Sequence, residues 1–184
     1  MRADAVRNRE RILEAARVEV GLGGTECSLD NVAKRAGVGP GTLYRHFPTR
    51  DDLVGALLLG WADEVRTDTD ATAGDTWDDV LEWLVRLADH SMLYRGLAST
   101  LAAAEADEAS PLRTVHAVVL GAMSRLLDRA REAGVVTVPV DADEISRLVA
   151  GIAMSAEQAN LAAAQVRSML AIVLNGLTQA RPNN

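Results

Sequence analysis

The segment from Ser28 to Phe47 leaves the backbone few options. Ser28-Leu29-Asp30-Asn31-Val32-Ala33-Lys34-Arg35-Ala36 opens on a helix-capping residue and sets Leu29, Val32, Ala33 and Ala36 on one side at helical spacing. Gly37 follows, where the chain needs a residue tolerant of positive φ. Pro40 stands at the first position of a second helix, where its missing N–H is harmless. In that second helix Leu43 and Phe47 are four apart and share a face. Thr42, Tyr44, Arg45 and His46 meanwhile bring a hydroxyl, a phenol, a guanidinium and an imidazole within barely more than one turn. Two short helices joined by a glycine-bearing turn form a helix-turn-helix. Many helical corners of this kind bind nothing, but so dense a polar face suits a partner rich in acceptors, such as a DNA major groove.

Composition matters here for what it excludes. The 184 residues are 48% hydrophobic but only 3% aromatic, rich in Ala, Leu, Val and Arg, which favours helices over a sandwich or barrel. No apolar run follows Met1, and no stretch approaches the roughly 18 apolar residues of a membrane span, so a cytoplasmic protein without a membrane partner is expected. The single Cys27 has no internal disulfide partner and, just before the Ser28 cap, suits packing better than redox sensing. The net charge of −7 divides unevenly: residues 1–50 hold nine Lys/Arg against six Asp/Glu (+3), and residues 51–184 hold ten against twenty (−10). A basic head can touch phosphates while an acidic body limits non-specific adhesion.

In chain order, a first helix is expected from Asp4 to Leu22, with Ile12, Leu13, Ala16 and Val20 at the helical period. Arg2, Arg7, Arg9 and Arg11 crowd its start, the wrong end for the helix dipole, and are read as facing either an external anion or solvent. Gly21, Gly23 and Gly24 end that helix. Pro48 halts the helix holding Tyr44, and Thr49 caps a fourth carrying Leu53, Val54, Leu57, Leu58, Trp61 and Val65, which fades over Asp68–Gly74. Arg50, at the positive end of that helix, again hints at a phosphate. The domain boundary is placed near residue 50, giving a helix-turn-helix domain over 1–50 and a helical regulatory and dimerisation domain over 51–184.

Four blocks in order and spacing carry a resemblance: Ile12-Leu13-Glu14-Ala15-Ala16, Val32-Ala33-Lys34-Arg35-Ala36-Gly37-Val38, Gly41-Thr42-Leu43-Tyr44-Arg45-His46-Phe47 and Arg50-Asp51-Asp52-Leu53. Residues 10–58 resemble the DNA-binding domain of the tetracycline-repressor-like (TetR/AcrR) family of bacterial regulators. The resemblance implies an all-α protein with an N-terminal three-helix head and a C-terminal helical ligand-binding and dimerisation domain. It implies that Thr42, Tyr44 and His46 touch phosphates, that Pro40, Gly41 and Arg45 lie near base edges, and that Ser28 and Arg50 bind phosphate on the flanks. Gly39 stands where the family often has a Ser cap, and Val20 replaces its usual large aromatic.

The body reads as five further helices: one opening at Thr76-Trp77-Asp78-Asp79, a shorter one from Tyr94 to Glu105 ending in the loop Ala106 to Ser110, and a long one from Pro111 to Ala133. Val135-Val136-Thr137-Val138 is strand-like but too isolated to build a sheet. Asp141-Ala142-Asp143-Glu144 starts the next helix with a capping-box pattern, and the last runs from Ala163 to Gln179. Ile145, Leu148, Val149, Gly151, Ile152 and Ser155 on one, with Met169, Leu170, Val173 and Leu177 on the other, exceed what one core needs. They are expected to pair with a second copy in a four-helix interface, and the resemblance implies the same. A homodimer would read a pseudo-palindrome in successive major grooves. Trp83, His90, Met92, Tyr94, His116, Met123 and Met154 are candidates to line an effector pocket, though each singly also suits ordinary core packing.

An enzyme finds no support. The residues three before His46, His90 and His116 are Leu43, Leu87 and Arg113, so no Glu-x-x-His pair exists, and Gly37-x-Gly39-x-Gly41 follows a helix rather than a strand. No cofactor or metal is called for. The expected function is a ligand-responsive transcriptional regulator, more readily a repressor than an activator, with DNA and an unidentified small molecule as partners. The competing reading is a helical small-molecule-binding or adaptor module without sequence-specific DNA binding.

Overall fold

The computed structural model describes residues 2–94, 96–104 and 110–178, and every regular element among them is a helix. The expected helix end at Glu105, positions 106–109 of the expected loop, the helix end at Gln179 and the side chain of Arg2 lie outside what it describes. Contacts divide the chain into two compact units, one of residues 1–61 with 93–116, the other of residues 62–92 with 117–184.

The first unit begins with α1 (Arg2–Gly23), α2 (Leu29–Ala36) and α3 (Pro40–His46). Ser28 caps α2, accepting from the Asn31 N–H at 3.5 Å, and Gly37 closes it at φ +64°. That backbone conformation favours glycine, and Arg11 Nη2, on a side chain able to shift, donates to the Gly37 carbonyl. The next helix, α3, has no side-chain cap, because Gly39 fills the N-cap position at φ −70°. Seven residues cannot sustain a helix alone. Leu43 and Phe47 anchor it in a core shared with Ile12, Ala16, Val20, Val32, Leu53 and Leu57. In that core Val20 is fully buried, so the smaller residue packs without exposure.

The fourth helix, α4 (Arg50–Ala71), contributes to both units. At its start the Asp52 carboxylate accepts from the Thr49 N–H at 2.9 Å, and the Asp52 N–H donates back to the Thr49 hydroxyl at 3.1 Å. The helix ends at Ala71, within the expected fade over Asp68–Gly74. Thr67 and Thr69 hydroxyls donate to the carbonyls four residues back, and the Arg129 guanidinium donates to the carbonyls of Thr69 (2.7 Å) and Ala73 (2.9 Å), satisfying the helix end. Also in the first unit, α6 (Leu97–Ala104) begins three residues later than Tyr94 because Gly96, at φ +78°, breaks the helical path. Thr100 on α6 and Thr25 share a hydroxyl hydrogen bond of 2.8 Å.

The second unit holds α5 (Trp77–Leu93) up to Met92, most of α7 (Leu112–Glu132), and α8 (Ala142–Ala159) and α9 (Ala163–Thr178). The capping box of Asp141 and Glu144 is present at α8. Val135–Val138 forms no strand; the N–H groups of Thr137 and Val138 instead donate to the Leu177 carbonyl. Trp83, fully buried, donates from Nε1 to the Thr69 hydroxyl at 2.9 Å, which in turn donates to the Val65 carbonyl, so α5 is pinned to α4 through a dry polar relay.

Two predictions follow from these local arrangements. Thr69→Val keeps the shape but leaves the Trp83 N–H without an acceptor, so urea unfolding should show a loss of about 1–3 kcal/mol. An unchanged midpoint would mean that the relay is dispensable. Gly39→Ser should raise the melting temperature slightly, by about 1 °C from a few tenths of a kcal/mol. No neighbour lies within 4 Å of a Cβ there and the backbone is already extended, so a fall in calorimetric melting temperature would contradict this account of α3.

Candidate functional site

The exposed side of α3 is built by exclusion. With Leu43 and Phe47 turned into the core, Pro40, Gly41, Tyr44 and Arg45 are left outward, Tyr44 with 47% of its surface exposed. Thr42 and His46 are half-buried at its edges. Arg45 folds back along its own helix, donating from Nε to the Gly41 carbonyl at 3.0 Å and from Nη2 to the Thr42 hydroxyl at 3.4 Å. That posture holds a guanidinium beside Gly41, where nothing lies within 4 Å of a would-be Cβ, so backbone and guanidinium present an open, donor-rich surface.

The flanking residues come from the same unit. Ser28 is exposed at the start of α2, and Arg50 is the first residue of α4. Arg50 is already engaged: its Nη1 lies 2.5 Å from Glu26 Oε2, and its Nε is buried without a partner. Glu26 had no place in the reading of the sequence, since a lone acid in a loop 24 residues away carries no periodic signal. Arg7, Arg9 and Arg11 of α1 also have partners within the unit. Arg7 pairs with Asp4 at 2.6 Å, the Arg9 guanidinium lies 5.5 Å from the centre of the Phe47 ring, and Arg11 reaches the Gly37 carbonyl at 3.3 Å. These contacts account for part of the charge that the sequence assigned to an outside anion or solvent. Burial pushes the Cys27 thiol above its usual range, with Arg50 opposing, which suits a packing residue rather than a nucleophile.

The second unit contains a cleft of about 500 Å³ lined by Asp63, Glu64, Val65, Thr67, Asp68, Ala71, Arg86, Leu87 and His90. Its size is that of small-ligand sites. Arg86 crosses it to Asp68 at 3.0 Å and to the Thr72 hydroxyl at 3.3 Å. Of the expected pocket residues only His90 lines this cleft. Trp83 and Met123 are fully buried core, the former with its N–H already used. Met154 is exposed on α8, Met92 is half-buried outside the cleft lining, and Tyr94 and His116 fall in the first unit, Tyr94 against its core. The α4 side of the cleft escaped the sequence reading because Asp63, Glu64, Thr67 and Asp68 look like an ordinary solvated face. Among the described residues no group of three His, Cys, Asp or Glu is placed to hold a metal.

On α8 and α9 the apolar residues divide. Ile145, Val149, Ile152, Leu170 and Leu177 are buried within the unit itself and leave little surface for a second copy. Leu148 (47% exposed), Gly151 and Ser155 form an outward stripe, Met169 and Val173 are half-buried, and Ile172 is 70% exposed. Arg167 of α9 reaches Glu82 of α5 at 2.6 Å and holds that carboxyl below its ordinary range.

Residues 12–57 match the family described as bacterial regulatory proteins, tetR family, and residues 77–179 match the C-terminal domain of SbtR-like transcriptional regulators. A segment of 54 residues is 48% identical to the HTH-type transcriptional regulator SAB2452 of Staphylococcus aureus, but it spans only 29% of this chain and 29% of that protein. Two crystal structures align over nearly the whole chain. The TetR regulatory protein of Mycobacterium vanbaalenii is 31% identical over 96% of this chain and 98% of its own, with a TM-score of 0.53. The TetR regulator SCO0520 of Streptomyces coelicolor is 28% identical over 92% and 97%, with a TM-score of 0.63. With both the head and the body matched, this chain belongs to the TetR family of DNA-binding transcriptional regulators and is not an enzyme.

Proposed function

We propose that the chain is a cytoplasmic repressor that binds a pseudo-palindromic operator as a homodimer and leaves it when a small-molecule effector binds. The observation that carries the DNA reading is the outward face of α3, where Gly41, Tyr44 and Arg45 are presented by a helix whose other face is fully committed to the core. On this reading residues 1–50 act as the DNA-binding head and residues 51–184 as the regulatory and dimerising part. Tyr44, Thr42, His46, Ser28 and Arg50 meet phosphates, while Pro40, Gly41 and Arg45 approach base edges. A dimer on its operator obstructs polymerase without further machinery, which favours repression. No described helix is long and apolar enough to cross a membrane.

The dimer is supported by the uncovered stripe of Leu148, Gly151 and Ser155 on α8 and by Ile172 on α9, since small residues let a facing helix approach closely. The effector is supported by the cleft between α4 and α5, which takes over from the dispersed pocket residues expected from the sequence. A ligand there acts on α4 itself, and it releases DNA only by preferring the DNA-incompetent shape, by about 1–3 kcal/mol for ordinary coupling.

Selection from a random duplex pool at physiological salt tests the DNA reading. The wild type should enrich one pseudo-palindrome, and Tyr44→Ala/Arg45→Ala should enrich none; enrichment by neither would leave a helical ligand-binding or adaptor module in its place. Sedimentation tests the dimer. The wild type should run as a dimer and Leu148→Glu/Ile172→Glu as a folded monomer, whereas a monomeric wild type at operator-binding concentrations would refute the four-helix interface.

A further inference from the structure

Arg50 stands at the first position of α4, where a cation opposes the helix dipole, so its position needs a reason outside helix stability. Its guanidinium meets Glu26, from the α1–α2 loop, through Nη1 alone. The Nε of the same group is turned inward and buried with no acceptor, so the paired carboxylate is not held by the two-armed fork that makes arginine contacts strong. The pair is also wet: 41% of the arginine side chain and 82% of the glutamate side chain are exposed. An ion pair with one arm, one unsatisfied donor and high exposure opens readily when a competing anion arrives.

Glu26 lies two residues before Ser28, and Ser28 and Arg50 are the two residues read as phosphate contacts on the flanks of α3. A carboxylate that holds one proposed phosphate contact, two residues from another, occupies the guanidinium that a phosphate would need. Resting on the reading of this head as DNA-binding, we propose that Glu26 competes with a DNA phosphate for Arg50 and thereby sets the affinity and salt dependence of operator binding. In the free protein Glu26 holds the guanidinium. On DNA the phosphate replaces the carboxylate, Arg50 turns outward, and its buried Nε gains a partner in phosphate or water.

The test is a double-mutant cycle in the full-length chain, using fluorescence anisotropy on the duplex selected by the wild type, across a range of salt concentrations. Glu26→Gln should tighten binding about two- to fivefold, the scale set by an exposed ion pair. The slope of log affinity against log salt should steepen by up to about one. In an Arg50→Gln background the same change should have no effect. Glu26→Ala should reproduce the gain, and circular dichroism melts of each variant confirm that the folded protein is being compared. Unchanged or weaker binding by Glu26→Gln and Glu26→Ala overturns the proposal. So does a gain of equal size in the Arg50→Gln background, which would make Glu26 a general repulsive charge. A wild type that binds no duplex instead removes the DNA reading on which the competition rests, and that outcome is separate because the duplex selection reads it first.

Discussion

The head depends on the burial of one face of a helix too short to exist alone. Each of the seven residues of α3 must be held by tertiary contact, and the fully buried Leu43, worth about 1.5–3 kcal/mol of apolar transfer, together with Phe47 supplies it. Because that face is committed, the opposite face has no rotational freedom, and Tyr44 and Arg45 point outward as a consequence of packing. The left-handed turn at Gly37 then sets the direction from α2 into α3. The outward surface of α3 is thus a by-product of core formation.

The fourth helix carries the second constraint. Its 22 residues are secured at the start by the reciprocal Thr49 and Asp52 bonds and at the end by Arg129. Between them, Thr69 accepts from the buried Trp83 and gives its own proton to the backbone. The bonds at the two ends replace water on helix groups that would otherwise be unsatisfied. The cleft uses the other side of the same stretch, through Asp63, Glu64, Thr67 and Asp68, so a molecule lodged there presses on a helix with few loose joints.

Charge is distributed for contact rather than for stability. The pairs Arg7–Asp4, Arg17–Glu14 and Arg50–Glu26 are exposed, and exposed pairs contribute at most about 1 kcal/mol each and fade with salt. Contacts of several kinds orient the arginines of this unit: Arg9 lies against the Phe47 ring, Arg45 donates to the Gly41 carbonyl, and Arg50 pairs with Glu26. The excess of acid over base beyond residue 50 gives the remainder of the chain a charge that opposes adhesion to nucleic acid.

Local rules sufficed for much of this. Ser28, Gly37, Pro40, Thr49 and the Asp141 capping box mark helix ends through hydrogen bonds spanning three or four residues, so the sequence by itself determined the helical class, the helix-turn-helix and the outward set on α3. Nearest-neighbour patterning stops where partners are distant. The residue that satisfies the carbonyls at the end of α4, Arg129, lies some sixty residues on. The late start of α6 needed the backbone turn at Gly96, and the separation of buried Ile145 and Val149 from exposed Leu148 needed the exact rotation of α8. The cleft and the Glu26–Arg50 pair were decided by tertiary structure alone, because both join polar residues that look like ordinary solvated surface until the chain folds them together.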